Sequence, residues 1–179
     1  MSSSLSLFLI PQAPGYIRLV SDFVTVWKLS RQRMEEVISD LNHAQLNWRM
    51  HSDALTIAQM VVHVAGVEVS FTSQLLGIEL DADGQKFKSA ATDGVVNDKP
   101  FPYSDEELTP ENVQELLAFA KQLVQPMISN PSEEVLKKEL VSALGPIITG
   151  EGALARLAFH PAYHQGQAYL IRTTPGFPV

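Results

Sequence analysis

GEGALARLAFHPAYHQGQAYLIR, residues 150–172, places Leu154, Leu157, His160, His164, Ala168 and Ile171 at steps of three and four. That period marks an amphipathic helix, with both histidines turned inward beside the apolar side chains. Positions i and i+4 lie one above the other on one helical face, roughly 6 Å apart. Two imidazoles held that way can share one metal ion. Pro161 follows His160 directly, so the helix is expected to bend there and free a carbonyl.

Three further helical patterns precede this one. The first runs from about Ile17 to Leu41, through Val20, Val24, Trp27, Met34 and Ile38. Arg31 occupies one step of that stripe, where an arginine is expected to snorkel; an anion contact inside a pocket is the sharper reading. The second covers about Ala54 to Leu76 and stops before Gly77, a helix-ending residue. Thr56 with Gln59 has capping-box spacing, and Ser52 and Asp53 are other candidate caps. His63 lies between Met60 and Val67 at the edge of its apolar stripe. The third begins at Thr109-Pro110, a cap followed by proline at the first helical position, and continues to Met127 with Pro126 expected to kink it.

Four such helices in one domain, spanning residues 1–179, read as an all-α four-helix bundle with long inter-helix loops. Residues 1–14 form an N-terminal extension. Its MSSSLSLFLIPQAP has no basic n-region and carries prolines where a cleavage site would need small residues, so no secretory signal is expected. The connection 78–108 is long enough to cross the bundle or to lie over a pocket. Residues 139–149 are the one stretch with extended character, interrupted at Gly145-Pro146.

Composition removes several function classes. No cysteine is present, which excludes disulfides, thiolate metal sites and a protein thiol nucleophile. The net charge of −7 argues against binding a nucleic-acid backbone. No apolar run reaches the ~18 residues of a membrane span, so the expected setting is cytoplasmic. Only 18% of residues are charged against 45% hydrophobic, which favours an apolar surface covered by a second copy, a homodimer.

His63, His160 and His164 are the candidate metal ligands. Imidazole suits zinc, nickel, iron or copper, and three leave coordination positions open. On spacing alone, histidines packed in the core with single hydrogen bonds account for the pattern equally well. His43 and His51 fall in the polar stretch 42–53 and are expected at the surface. Glu68 lies about 140° around the helix from His63 and reads as a residue that supports a ligand from behind, or as a structural one, rather than as a ligand. No Glu-x-x-His occurs, and position 161 is proline where a zinc-protease motif needs glutamate. Gly150 and Gly152 read as a helix entry, since no βαβ unit surrounds them. Asp81-x-Asp83-Gly84 is too short for a calcium loop.

From about residue 17 to Arg172 the chain resembles the DinB/YfiT-like superfamily. The likeness rests on Trp48, on His63-x-x-x-x-Glu68, and on His160-x-x-x-His164 followed by Gly166-Gln167 and Arg172. Gln165 departs from the arginine or leucine common at that place. The resemblance implies a four-helix bundle of up-down-down-up topology, commonly a dimer. It also implies one divalent metal, such as zinc, nickel, iron or manganese, held by His63, His160 and His164.

Characterised relatives include S-transferases that use bacillithiol, mycothiol or glutathione, and a mycothiol-dependent maleylpyruvate isomerase. The expected function is therefore a metal-dependent transferase using a low-molecular-weight thiol on a small-molecule substrate. A metal-dependent hydrolase and a non-catalytic dimeric stress or binding protein are the alternatives. Gln167 is the candidate for orienting a ligand or a bound water. Arg31 and Arg172 are the candidates for meeting carboxylates of a thiol.

Overall fold

The computed structural model describes residues 20–179. The N-terminal extension and Ile17, the expected start of the first helix, lie outside them. Local chemistry sets the long helices: α1 (Val20–Ile38), α3 (Ile57–Leu76), α5 (Pro110–Ser129) and α7 (Gly150–Arg172). At the start of α3 the Thr56 hydroxyl accepts from Gln59 N–H at 3.0 Å, and the Gln59 side chain accepts from Thr56 N–H at 3.1 Å. That reciprocal cap satisfies two donors the helix cannot satisfy itself. Gly77 ends α3 in the left-handed region, at φ 67°. Thr109 caps α5 with Pro110 in its first turn, and Thr149 caps α7. Pro126 and Pro161 lie inside α5 and α7, neither of which stops there.

Shorter elements fill the connections. The polar stretch 42–53 contains α2 (His43–Leu46), which carries its own capping box between Asn42 and Gln45. The long connection 78–108 holds α4 (Ala82–Ser89). After α6 (Glu133–Lys137), β1 (Glu139–Val141) and β2 (Ile147–Thr149) form an antiparallel hairpin with Leu140 opposite Ile148. Gly145-Pro146, read from sequence as an interruption, is part of the turn, with Gly145 at φ 97°. No helix among the described residues is long and apolar enough to cross a membrane.

Packing closes the four long helices into a ring in which α1 meets α7 and α5, and α3 meets α5 and α7. α1 thus stands diagonally from α3, and α5 from α7, while α3 and α5 are neighbours. Two apolar clusters fill the interior. One gathers Met34, Ile38, Val61, Val64 and Leu117, the other Trp27, Phe71, Val124, Leu154 and Leu157.

The interior also holds a buried polar seam. Arg31 and Glu68 are each 1% exposed, with Arg31 Nε 3.1 Å from Glu68 Oε1. Trp27 Nε1–H donates to the same oxygen at 2.7 Å, and Arg31 Nη2–H donates to the Leu117 carbonyl at 2.9 Å. The snorkelling expected of Arg31 does not occur. A buried carboxylate and a carbonyl hold the guanidinium inside, so its charge stays balanced away from water. Burial pushes the Glu68 carboxyl above the ordinary carboxylate range, against the pull of Arg31 and the Trp27 N–H.

Breaking one partner of a buried pair costs far more than replacing both. Glu68→Ala should therefore destabilise the protein by about 3–5 kcal/mol in urea unfolding. Arg31→Met/Glu68→Leu should recover most of that loss. A double variant no more stable than the single one would show that the pair is not what the seam rests on.

Candidate metal centre

α3 and α7 meet along a face on which each contributes imidazole. α7 supplies His160 and His164 from successive turns, and α3 supplies His63 from its second turn after the Thr56 cap. All three are buried, at 4%, 4% and 7% exposure for His63, His160 and His164. Their rings meet nearly edge-to-face, with centroids 5.0 Å apart for His63–His160, 5.1 Å for His63–His164 and 4.6 Å for His160–His164. One ring nitrogen from each lies within 4.8 Å of the other two. The structure thus brings together the three histidines singled out from sequence.

The donor chemistry fits a divalent transition metal. His63 Nδ1 is 3.0 Å from the Ala90 carbonyl, which fixes that nitrogen as the N–H donor and leaves Nε2 with its lone pair. A hydrogen bond of this kind orients a metal-binding imidazole. His160 Nε2 and His164 Nε2 face each other at 3.0 Å. Ligand nitrogens about 2.0–2.1 Å from a tetrahedral zinc stand about 3.3 Å apart, so the spacing suits two ligands of one ion. A proton is a poor substitute. Burial pushes the His160 imidazole down to about 2, helped by the neighbouring His164 and His63 and by Arg156. Burial, with His63 and Arg156, pushes His164 down to about 4 while Gln167 draws it back up, and burial with Arg156 lowers His63 against the pull of the Ala90 carbonyl. Three neutral imidazoles at neutral pH are what a metal requires.

The triad lies in the wall of a cavity of about 790 Å³. Met60, Val67, Phe71, Phe159 and Ile171 make much of its lining apolar. Ala91, Thr92, Val95 and Val96 of the 78–108 connection supply one wall. Gly66 allows that wall to come close, since a Cβ there would stand 2.9 Å from the Phe87 carbonyl and the Ala91 nitrogen.

Other expected site residues have different places. Gln167 lines the cavity beside His164. Arg31 sits in the buried seam with Glu68. Arg172 holds the end of α7 to α1 through a two-point pair with Asp40, at 2.9 and 2.8 Å, and through the Val37 carbonyl. Neither arginine is among the described residues lining the cavity. Glu68 stands outside the triad, as its position around α3 implies. His43 and His51 are exposed, and His43 bonds the Asp105 carbonyl. Arg156 does line the cavity, and sequence reasoning passed over it. Its signal was an arithmetic one: Arg156, His160 and His164 form an i, i+4, i+8 series on one face of α7.

The lowered histidine values have a sign that can be measured. The unfolded chain binds protons on these groups below about pH 6.5, while the folded metal-free protein does not. Their contribution to stability is therefore present above that pH and is lost as pH falls towards about 4 for His164 and about 2 for His160. Each histidine steepens the loss by up to about 1.4 kcal/mol per pH unit. Thermal unfolding of chelator-treated protein between pH 7.5 and 4.5 should show a steeper decline than the His160→Gln/His164→Gln variant. Parallel curves for the two proteins would contradict the assignment of neutral, dehydrated imidazoles.

Comparison with known proteins agrees with this architecture. A conserved protein from Enterococcus faecalis of known structure is 17% identical, with a TM-score of 0.64 over 88% of this chain and 96% of that chain. YfiT from Bacillus subtilis, described as a probable metal-dependent hydrolase with an unusual four-helix bundle topology, is also 17% identical. Its TM-score is 0.55, covering 94% of this chain and 95% of that one. At such identity the likeness establishes the four-helix bundle fold. No curated protein matches the chain in sequence. The sequence model of the DinB superfamily matches residues 27–168, and the chain belongs to that superfamily.

Proposed function

We propose that the protein is a divalent-metal-dependent enzyme that transfers a low-molecular-weight thiol to a small electrophile, with the metal on His63, His160 and His164. The observation that carries this reading is the triad of buried neutral imidazoles opening into a mainly apolar cavity. A divalent ion held there would supply a Lewis acid that lowers the pKa of a thiol or water brought to it. The chain's own part is to bind and orient. His63, fixed through Ala90, and the His160–His164 pair set the open side of the site towards the cavity. Apolar walls exclude water and take up the body of the substrate. In the transfer, a C–S bond forms and the bond from carbon to its leaving group breaks. The leaving group departs with the electron pair, and the thiol proton goes to solvent.

Two features favour thiol over water as the nucleophile. No aspartate or glutamate is among the described residues lining the cavity, so no carboxylate stands ready as a general base for water. A thiol needs less help, because its own pKa is already near 8.5. The chain also has no cysteine, so the reacting thiol has to arrive from solution. Hydrolysis is the second reading, supported by the description of the Bacillus subtilis protein of the same fold as a probable hydrolase.

Elemental analysis of the purified protein should find one first-row divalent metal per chain, lost in His63→Ala and in His164→Ala. Stoichiometric metal surviving both substitutions would end the three-histidine assignment. With metal bound, a generic aryl halide or epoxide should be consumed only when a thiol such as bacillithiol, mycothiol or glutathione is added. Turnover of ester, amide or phosphoester substrates without thiol, and none with it, would reverse the choice in favour of hydrolysis.

A further inference from the structure

The cavity differs in charge from the molecule that contains it. The chain carries a net charge of −7, yet its described cavity lining includes no carboxylate and one arginine, Arg156. Arg156 stands one turn before His160 and two before His164 on the same face of α7. Its charge reaches His63, His160 and His164, disfavouring protonation of each. The guanidinium lies 6.0 Å from the Phe159 ring centroid, and the side chain is half-buried. A metal on three neutral imidazoles would add two positive charges to that of Arg156 along one wall of a mostly apolar, open cavity. Positive charge gathered there favours an anionic group on the ligand.

We propose that Arg156 is a specificity determinant that binds the carboxylate of an otherwise apolar small-molecule ligand, whose reacting end lies at the histidine triad. The proposal rests on the metal-site reading above and names the ligand class that the site selects. Guanidinium meets carboxylate through two parallel N–H···O bonds, a geometry an ammonium group cannot reproduce. Helical spacing sets the ligand's length. One turn of α7, about 5.4 Å, separates the level of Arg156 from that of His160, and a second turn reaches His164. A carboxylate three or four bonds from the reacting atom spans that distance. The rest of the ligand lies against Val67, Phe71, Leu144 and Phe159, which line the cavity.

The test compares 4-phenylbutyrate with its neutral amide, 4-phenylbutyramide, by isothermal titration calorimetry on the purified protein. Metal content is measured on the same samples. The parent should bind the acid at least tenfold more tightly than the amide, as a charge-assisted hydrogen bond implies. Arg156→Met should bring the two to equal affinity, Arg156→Lys should keep part of the preference, and His164→Ala should keep it. If Arg156→Met does not give the parent's circular dichroism spectrum, Arg156→Gln takes its place with the same expectation. Equal binding of acid and amide by the parent, or no binding of either, overturns the proposal. So does a preference that survives loss of Arg156 but disappears in His164→Ala, which would put the carboxylate on the metal. A parent without metal that still prefers the acid through Arg156 would defeat the metal reading and leave the carboxylate site standing.

Discussion

The pairing of Arg31 with Glu68 is the constraint on which the arrangement of the site depends. α3 is buried over almost its whole circumference, and apolar residues occupy every side of it. Hydrophobic burial alone therefore does not decide which side of α3 faces which neighbour. Glu68 is the one carboxylate on that helix, and its partners Arg31 and Trp27 both come from α1. Holding Glu68 towards α1 turns the helix to one rotation. His63, five residues earlier and so about 140° around and about 7.5 Å along, is then delivered towards α7. A polar contact deep in the core thus positions an imidazole that it does not touch.

α7 needs less outside help. Its two histidines are one turn apart on the same helix, so their relation is covalent and local. Thr149 starts the helix, and the pair formed by Arg172 with Asp40 ties its far end to α1. Between those anchors Ser30 Oγ–H donates to the Ala158 carbonyl at 2.8 Å, close to the histidine level. The metal centre thus lies between one helix fixed along its length and another fixed by a single buried charge. The third support is the Ala90 carbonyl, which brings the 78–108 connection into contact with the site through His63.

Which parts were legible in the sequence follows from how local their causes are. The Thr56–Gln59 box, the Thr109-Pro110 start and the Gly77 stop each involve a few adjacent residues, and all three appear where the sequence indicates. The His160–His164 pair was legible for the same reason. Arg31 was misread because its partner is far away in the chain, and a stripe position alone cannot reveal a buried carboxylate opposite. α2 is too short to show a period, whereas the extended character of residues 139–149 was legible and appears as the hairpin. The tie between His63 and the Ala90 carbonyl has no side-chain signature at all, since any residue at position 90 offers that oxygen. Arg156 was present in the helical arithmetic but fell between leucines that drew the stripe.

The outcome is an acidic, cysteine-free bundle with a large, mostly apolar cavity whose lining carries three imidazoles and one guanidinium. Those groups bind metals and anions and offer no proton acceptor of the carboxylate type. The most direct test is an anomalous difference map from crystals of the purified protein, collected above and below the absorption edge of its metal. The account predicts one peak per chain, about 2.0–2.2 Å from a ring nitrogen of each of His63, His160 and His164. A map from metal-loaded crystals with no peak between those rings, or with its peak among surface carboxylates, would contradict it.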